Sequence, residues 1–144
     1  MRIHEVMGAK VAHHEVVSIS PDASVADLID LLSEHNIGAV IVSADGQSIA
    51  GIVSERDVVR KIKAIDSILS APVSAIMTTE VHPCASEDVL DEIRQLMTEQ
   101  RVRHVPVVDD GALIGVVSIG DVVKSHINQV EYERDQLDSY VHQT

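Results

Sequence analysis

Apolar residues along this chain fall into two kinds of run. Short, nearly unbroken runs read as strands: VVSI at 16–19, GAVIV at 38–42 and IAGIVS at 49–54 in the first half, then EVHPC at 80–84, RHVPVV at 103–108 and LIGVVS at 113–118. Runs in which apolar positions recur every three or four residues read as helices. Ser24 stands where a cap belongs before Val25, Leu28, Ile29, Leu31 and Leu32, and Ser54 opens a second helix through about residue 63. The later half predicts a helix over about 87–100 and another from Ile119. Asp45-Gly46 and Asp110-Gly111 each separate two strand runs, which is the signal of a hairpin. Pro106 inside its strand requires an edge, or an N–H that would face away from the ladder.

These elements occur twice. Residues 16–42 align without gaps onto 81–107, and 51–62 onto 115–126, with the one-residue change in offset falling in the two turns. Matched positions keep their character, as in Val16/Val81, Leu31/Leu96, Val40/Val105, Gly51/Gly115, Ser54/Ser118, Asp57/Asp121 and Val58/Val122. The expected fold class is therefore α/β of the α+β kind: two pseudo-symmetric β-α-β-β-α repeats at 1–63 and 76–127. A connector at 64–75, with Pro72 at a helix start, joins them, and a helical extension follows at 128–144. About 60 residues bury too little surface alone, so the copies are expected to form one body.

Composition narrows the ligand and partner classes. The 144 residues carry a formal charge of −12, no Trp or Phe and two Tyr, so the core is aliphatic and a planar ligand would be held by aliphatic walls. Exposed aromatic platforms for single-stranded nucleic acid are missing, and DNA or an anionic membrane would be repelled. No run suits a transmembrane helix or an amino-terminal secretory signal, and the single cysteine, Cys84, reads as a small buried strand residue. A cytoplasmic protein is expected.

The duplicated motif with the most chemical content is Gly51-Ile-Val-Ser54-Glu-Arg-Asp57 and Gly115-Val-Val-Ser118-Ile-Gly-Asp121, each at a strand-to-helix junction. Unpaired N–H groups and the helix dipole favour an anion there. Ser-x-x-Asp is also nearly a capping box, with Asp for the usual Glu or Gln, and could serve only to start the helix. An Asp carboxylate in that place can equally accept both hydroxyls of a ribose. Arg56 sits where a helix N-terminus disfavours a cation unless an anion is near.

With GIVSERDVVRKI and RHVPVVDDGALIGVVSIGDVVK, the repeat resembles the cystathionine-β-synthase (CBS) domain family, and the pair resembles a Bateman module over roughly residues 1–127. The resemblance implies a regulatory module for adenine nucleotides (AMP, ADP, ATP or NAD(H)), a homodimer, and an effector protein that reads its state. It implies ribose contacts from Asp57, Asp121, Ser54 and Ser118, phosphate contacts from Arg56, Arg103, His104 and Gly120, and an adenine edge from Ile37, Gly38, Ala39 and Val102. The sites are expected to be crossed, Asp121 with 37–39 and Asp57 with 102–104. They are expected to be non-equivalent, since Arg56 and Arg103-His104 supply cations from opposite sides. The other reading is a structural dimerisation or interaction module with unoccupied sites.

Catalysis is not expected: neither serine has a GxSxG elbow, and GIVSERD does not match the GxxxxGK[ST] phosphate loop. His13-His14-Glu15 lacks a third ligand at metal-binding spacing. In the tail, Val123, Ile127, Val130, Arg134, Leu137 and Val141 follow the 4-3 spacing of a coiled-coil seam, which favours packing on a partner subunit over folding back.

Overall fold

The computed structural model describes residues 1–13 and 16–142, with the side chains of 9–13 left out, so the histidine run at 13–15 lies outside the described side chains. It is an α+β structure of two repeats followed by a long helix. The first repeat holds β1 (Ser18–Ile19), helix α2 (Val25–His35), β2 (Ala39–Val42), β3 (Gly51–Ser54) and helix α3 (Glu55–Lys61), preceded by helix α1 (Ile3–His13). Two 3-10 turns, Ile68–Ser70 and Val73–Ala75, lead to α4 (Leu90–Gln100), β4 (His104–Asp109), β5 (Ala112–Ser118) and α5 (Ile119–Val141).

Local chemistry explains most boundaries. Ser24 caps α2, its Oγ accepting from Asp27 N at 3.1 Å, while Val25, Leu28 and Leu32 are buried on one face. Both α2 and α4 end in a left-handed residue, Asn36 (φ 52°) and Arg101 (φ 55°). All four residues of β2 are buried because it is the middle strand, parallel to β1 and antiparallel to β3. Asp110 and Gly111, both at positive φ, turn β4 into β5 as a two-residue hairpin. Pro106 pairs with Val116, and its carbonyl accepts from Cys84 N at 2.8 Å. The proline nitrogen thus faces the 80–84 side of β4, where pairing is reduced to one bridge, Cys84 to Val107, instead of a full EVHPC strand.

Two aliphatic cores result, and each borrows from outside its own repeat. The first joins Val25, Leu28, Leu32, Val40, Val42 and Val53 to Ile68, Val73 and Ile76. The second joins Leu90, Ile93, Met97, Val105, Val107, Val117 and Val122 to Ile3 and Met7. Matching backbone bonds fix both segments. Val73 N donates to Ala23 O (2.8 Å), Ser74 N to Pro21 O (3.0 Å), and Val25 N to Ala71 O (2.9 Å). In the second repeat, Ile3 N donates to Asp88 O, His4 N to Ser86 O, and Leu90 N to Met1 O, all at 2.9 Å. Residues 1–7 and 71–77 are therefore a further pair of equivalents, Ile3-x-x-Val6-Met7 and Val73-x-x-Ile76-Met77.

The two glycines that begin the duplicated motif lie under these methionines. A Cβ on Gly51 would stand 2.6 Å from the Thr78 carbonyl and 3.1 Å from the Met77 sulfur, whereas one on Gly115 would run into the terminal methyl of Met7. Backbone cannot yield as a methyl can. Gly51→Ala should destabilise the fold by about 1–3 kcal/mol and Gly115→Ala by less than about 1 kcal/mol, because only the second clash is relieved by rotating a flexible side chain. Urea unfolding of the two variants measures the difference.

Candidate functional site

Both Ser-x-x-Asp motifs form complete capping boxes. Ser54 N donates to Asp57 Oδ2 at 2.9 Å and Asp57 N to Ser54 Oγ at 3.4 Å; Ser118 N donates to Asp121 Oδ2 at 3.0 Å and Asp121 N to Ser118 Oγ at 3.1 Å. Thr78 Oγ1 lies 3.4 Å from Asp57 Oδ1. A carboxylate offers about four lone-pair sites, so capping and acceptance of ligand hydroxyls are compatible.

Each helix start is tied to the strand start of its own repeat. Glu55 N donates to Gly38 O at 3.0 Å and Ile119 N to Arg103 O at 2.8 Å. Ile37 N and Val102 N in turn donate to Leu32 O and Met97 O. Three backbone groups of the expected adenine edge, Ile37 N, Gly38 O and Val102 N, are therefore bonded internally, as is the neighbouring Arg103 O, and base recognition there would use a carbonyl's second lone pair or neighbouring groups.

Between the repeats lies a cavity of about 1070 Å³. Ile37, Gly38 and Ala39 line it from the first repeat, and Ser118, Ile119 and Gly120 from the start of α5. Arg103 and His104 reach the same cavity, and the His104 ring lies 3.7 Å from where a Cβ of Gly38 would stand. Val16, Val17, Ile114 and Val116 add aliphatic walls, and Met7 extends over Gly115. Among the described residues, the lining side chains charged irrespective of histidine protonation are Glu55 and Arg103; His35 and His104 add two imidazoles.

The expected residues divide accordingly. Ile37, Gly38, Ala39, Arg103, His104, Ser118 and Gly120 share this cavity, with Asp121 half-buried one residue beyond Gly120. Ser54, Arg56 and Asp57 are half-buried at the start of α3 and do not line it, and Val102 is packed against the second core. Motif reading passed over Met7, Val16, Val17 and Glu55. The signal for Met7 was the Met77 repeat, hidden because its offset is 70 residues where the main repeat has 65.

Cys84 is 6% exposed, and burial, aided by the charges of Asp88 and Asp109, pushes its thiol up to about 12. It is a core residue with no thiolate at neutral pH. Asp109 accepts from the Ser86 hydroxyl and backbone N–H, which hold its carboxyl below the usual range. Among the described residues no cluster of three or more His, Cys, Asp or Glu could hold a metal ion, and no helix is long and apolar enough to cross a membrane.

Two repeats, each a small sheet flanked by helices and ending in a helix capped by its Ser-x-x-Asp motif, define a tandem α+β fold. Residues 8–64 and 73–127 each match the model of the CBS domain, and the chain belongs to that family. It is 39% identical over 125 residues to the mitochondrial CBS domain-containing protein CBSX3 of Arabidopsis thaliana; the match covers 83% of this chain and 61% of that protein. The solved CBS-domain containing protein of Agrobacterium tumefaciens is 35% identical with a TM-score of 0.81, covering 88% of this chain and 99% of that one. A CBS domain protein of Pyrobaculum aerophilum, solved in complex with AMP, is 26% identical with a TM-score of 0.73, covering 84% and 89%.

The capping boxes carry a stability consequence that needs no ligand. Asp57→Ala and Asp121→Ala should each lower stability by roughly 0.5–2 kcal/mol, through loss of the acceptor for the Ser54 or Ser118 N–H. Thermal unfolding checks this, and Asp→Asn at either position, which keeps an acceptor oxygen, should cost less.

Proposed function

We propose that this chain is a regulatory adenosine-ligand module and not an enzyme, with its site in the cavity between the repeats. The observation that carries the reading is the meeting of the α5 N-terminus, Ser118 to Gly120, with the strand start 37–39 of the other repeat, between aliphatic walls. Asp121 and Ser118 take the ribose hydroxyls, and backbone groups at 37–39 meet the adenine edge. Arg103, His104 and the N–H groups around Gly120 receive phosphate. Asp57, Ser54 and Arg56 with Val102 compose the pseudo-equivalent, weaker site. AMP bound to the Pyrobaculum relative supports an adenosine ligand. One guanidinium balanced by Glu55 suits a monophosphate better than ADP, ATP or NAD(H).

Regulation then follows from linkage: a ligand gripped by both repeats favours the relative arrangement that fits it, and an effector protein reads that arrangement. The second reading, a structural or interaction module with unoccupied sites, draws on the capping boxes, which are complete without any ligand.

Calorimetry with adenosine, AMP, ADP, ATP and NAD(H) separates the two. AMP should bind more tightly than ATP. Asp121→Asn should weaken every adenosine ligand about 10- to 100-fold, the worth of a hydrogen bond to a charged group. Arg103→Ala should weaken AMP about 10-fold and leave adenosine within about twofold, since the guanidinium addresses phosphate. No binding by any of the five ligands would establish the structural reading instead.

A further inference from the structure

Segments 1–7 and 71–77 close the two cores in the same way, but they are secured differently beyond their methionines. After Met77, the backbone of Thr78 is locked onto β3: Ile52 N donates to Thr78 O at 2.9 Å, and Thr78 N to Ile52 O at 2.8 Å. The equivalents of Thr78 and Ile52 in the other half are Gly8 and Val116. Among the described residues no such bridge joins these two, and at Gly8 the geometry of α1 breaks (φ 19°, ψ −101°). Val116 instead lines the cavity between the repeats.

Met7 therefore holds a double place. It is 3% exposed within the second core, beside Ile3, and its terminal methyl lies against Gly115 where it forms part of the cavity wall. Met77, its counterpart, is not part of that wall among the described residues. Backbone bonds from Ile3 N, His4 N and Leu90 N fix residues 1–4, and Arg2 Nη1 adds a bond to Glu87 O at 2.6 Å. The cavity end of the segment is fixed by side chains, Val6 and Met7, and not by a backbone bridge. A thioether on three rotatable bonds gives way where a pair of backbone hydrogen bonds does not.

We infer that Met7 is the latch of a ligand-linked segment: an adenosine ligand in the cavity packs on the Met7 thioether and holds residues 1–7 docked, and without it this segment releases more readily than 71–77. The wall that Met7 supplies exists only while residues 1–7 are in place, so ligand binding and docking favour each other by the same factor. Release uncovers Ile3 and Met7 and opens the second core, a sub-global opening that amide exchange reads directly. The identity of the occupant rests on the adenosine site proposed above.

Amide hydrogen exchange on the full chain, followed by NMR with and without saturating AMP, tests the latch. The amides of Ile3, His4 and Leu90 report the docking of residues 1–7, and those of Val25, Val73 and Ser74 report the equivalent joint in the first repeat. AMP should slow the first three about 10-fold or more beyond any slowing of the second three. Met7→Ala should weaken AMP about 5- to 10-fold and cut that difference to under about twofold, whereas Met7→Leu, which keeps an apolar wall, should retain most of it. Ile3→Ala loosens the segment from the core side without touching the cavity wall and should keep the difference, which separates a latch from a residue that only packs. AMP that binds but slows both sets equally, or an undiminished difference in Met7→Ala, overturns the inference and leaves the adenosine site standing. Failure of the unaltered chain to bind AMP overturns both.

Discussion

The structure depends on an exchange. Neither repeat completes its own core: Ile3 and Met7 close the second, and Ile68, Val73 and Ile76 close the first. Six matched backbone hydrogen bonds hold residues 1–4 and 71–74 in equivalent places, so the two-fold relation seen in the motifs extends to the segments that precede them. Each half lacks apolar surface until the other supplies it, which makes one cooperative body of two units too small to stand apart. The exchange also decides where the cleft lies. Met7, carried by its segment to Gly115, becomes part of the cavity wall.

Within that frame, the Ser-x-x-Asp motif does structural work first. Its carboxylate and hydroxyl satisfy helix N-terminal donors at both junctions, and the next N–H, of Glu55 or Ile119, holds the strand start opposite. A site assembled this way is preorganised, because side chains a ligand would meet are fixed by bonds the fold already needs. Capping and binding are therefore not competing explanations of the same residues. A substitution there is expected to touch stability and affinity together, and only a ligand series separates them.

Much of this is legible in the sequence. The spacing of apolar runs identified most strands and helices, the turn chemistry of Asp110-Gly111 identified a hairpin, and the 4-3 stripe from Val123 to Val141 identified a helical tail. What failed to show was tertiary. Residues 64–75 looked like a connector because their partner bonds, to 21–25, are long-range. Helix α4 starts at Leu90 and not near Glu87, because Asp88 accepts from Ala85 N and Ser86 is drawn to Asp109, which bends 85–88 into a turn. Glu55 was overlooked because it stands inside a motif whose neighbours carry the pattern, while its side chain lies beside Gly38 and lines the cavity.

Two halves that complete each other create a cleft that neither has alone, and an adenosine ligand is its proposed occupant. Titration of isotope-labelled protein with AMP, followed by amide and methyl NMR, tests that directly. The account predicts shifts concentrated at residues 16–18, 37–39, 103–104 and 118–121 together with the Met7 methyl. Shifts that leave both 37–39 and 118–121 unmoved would contradict it.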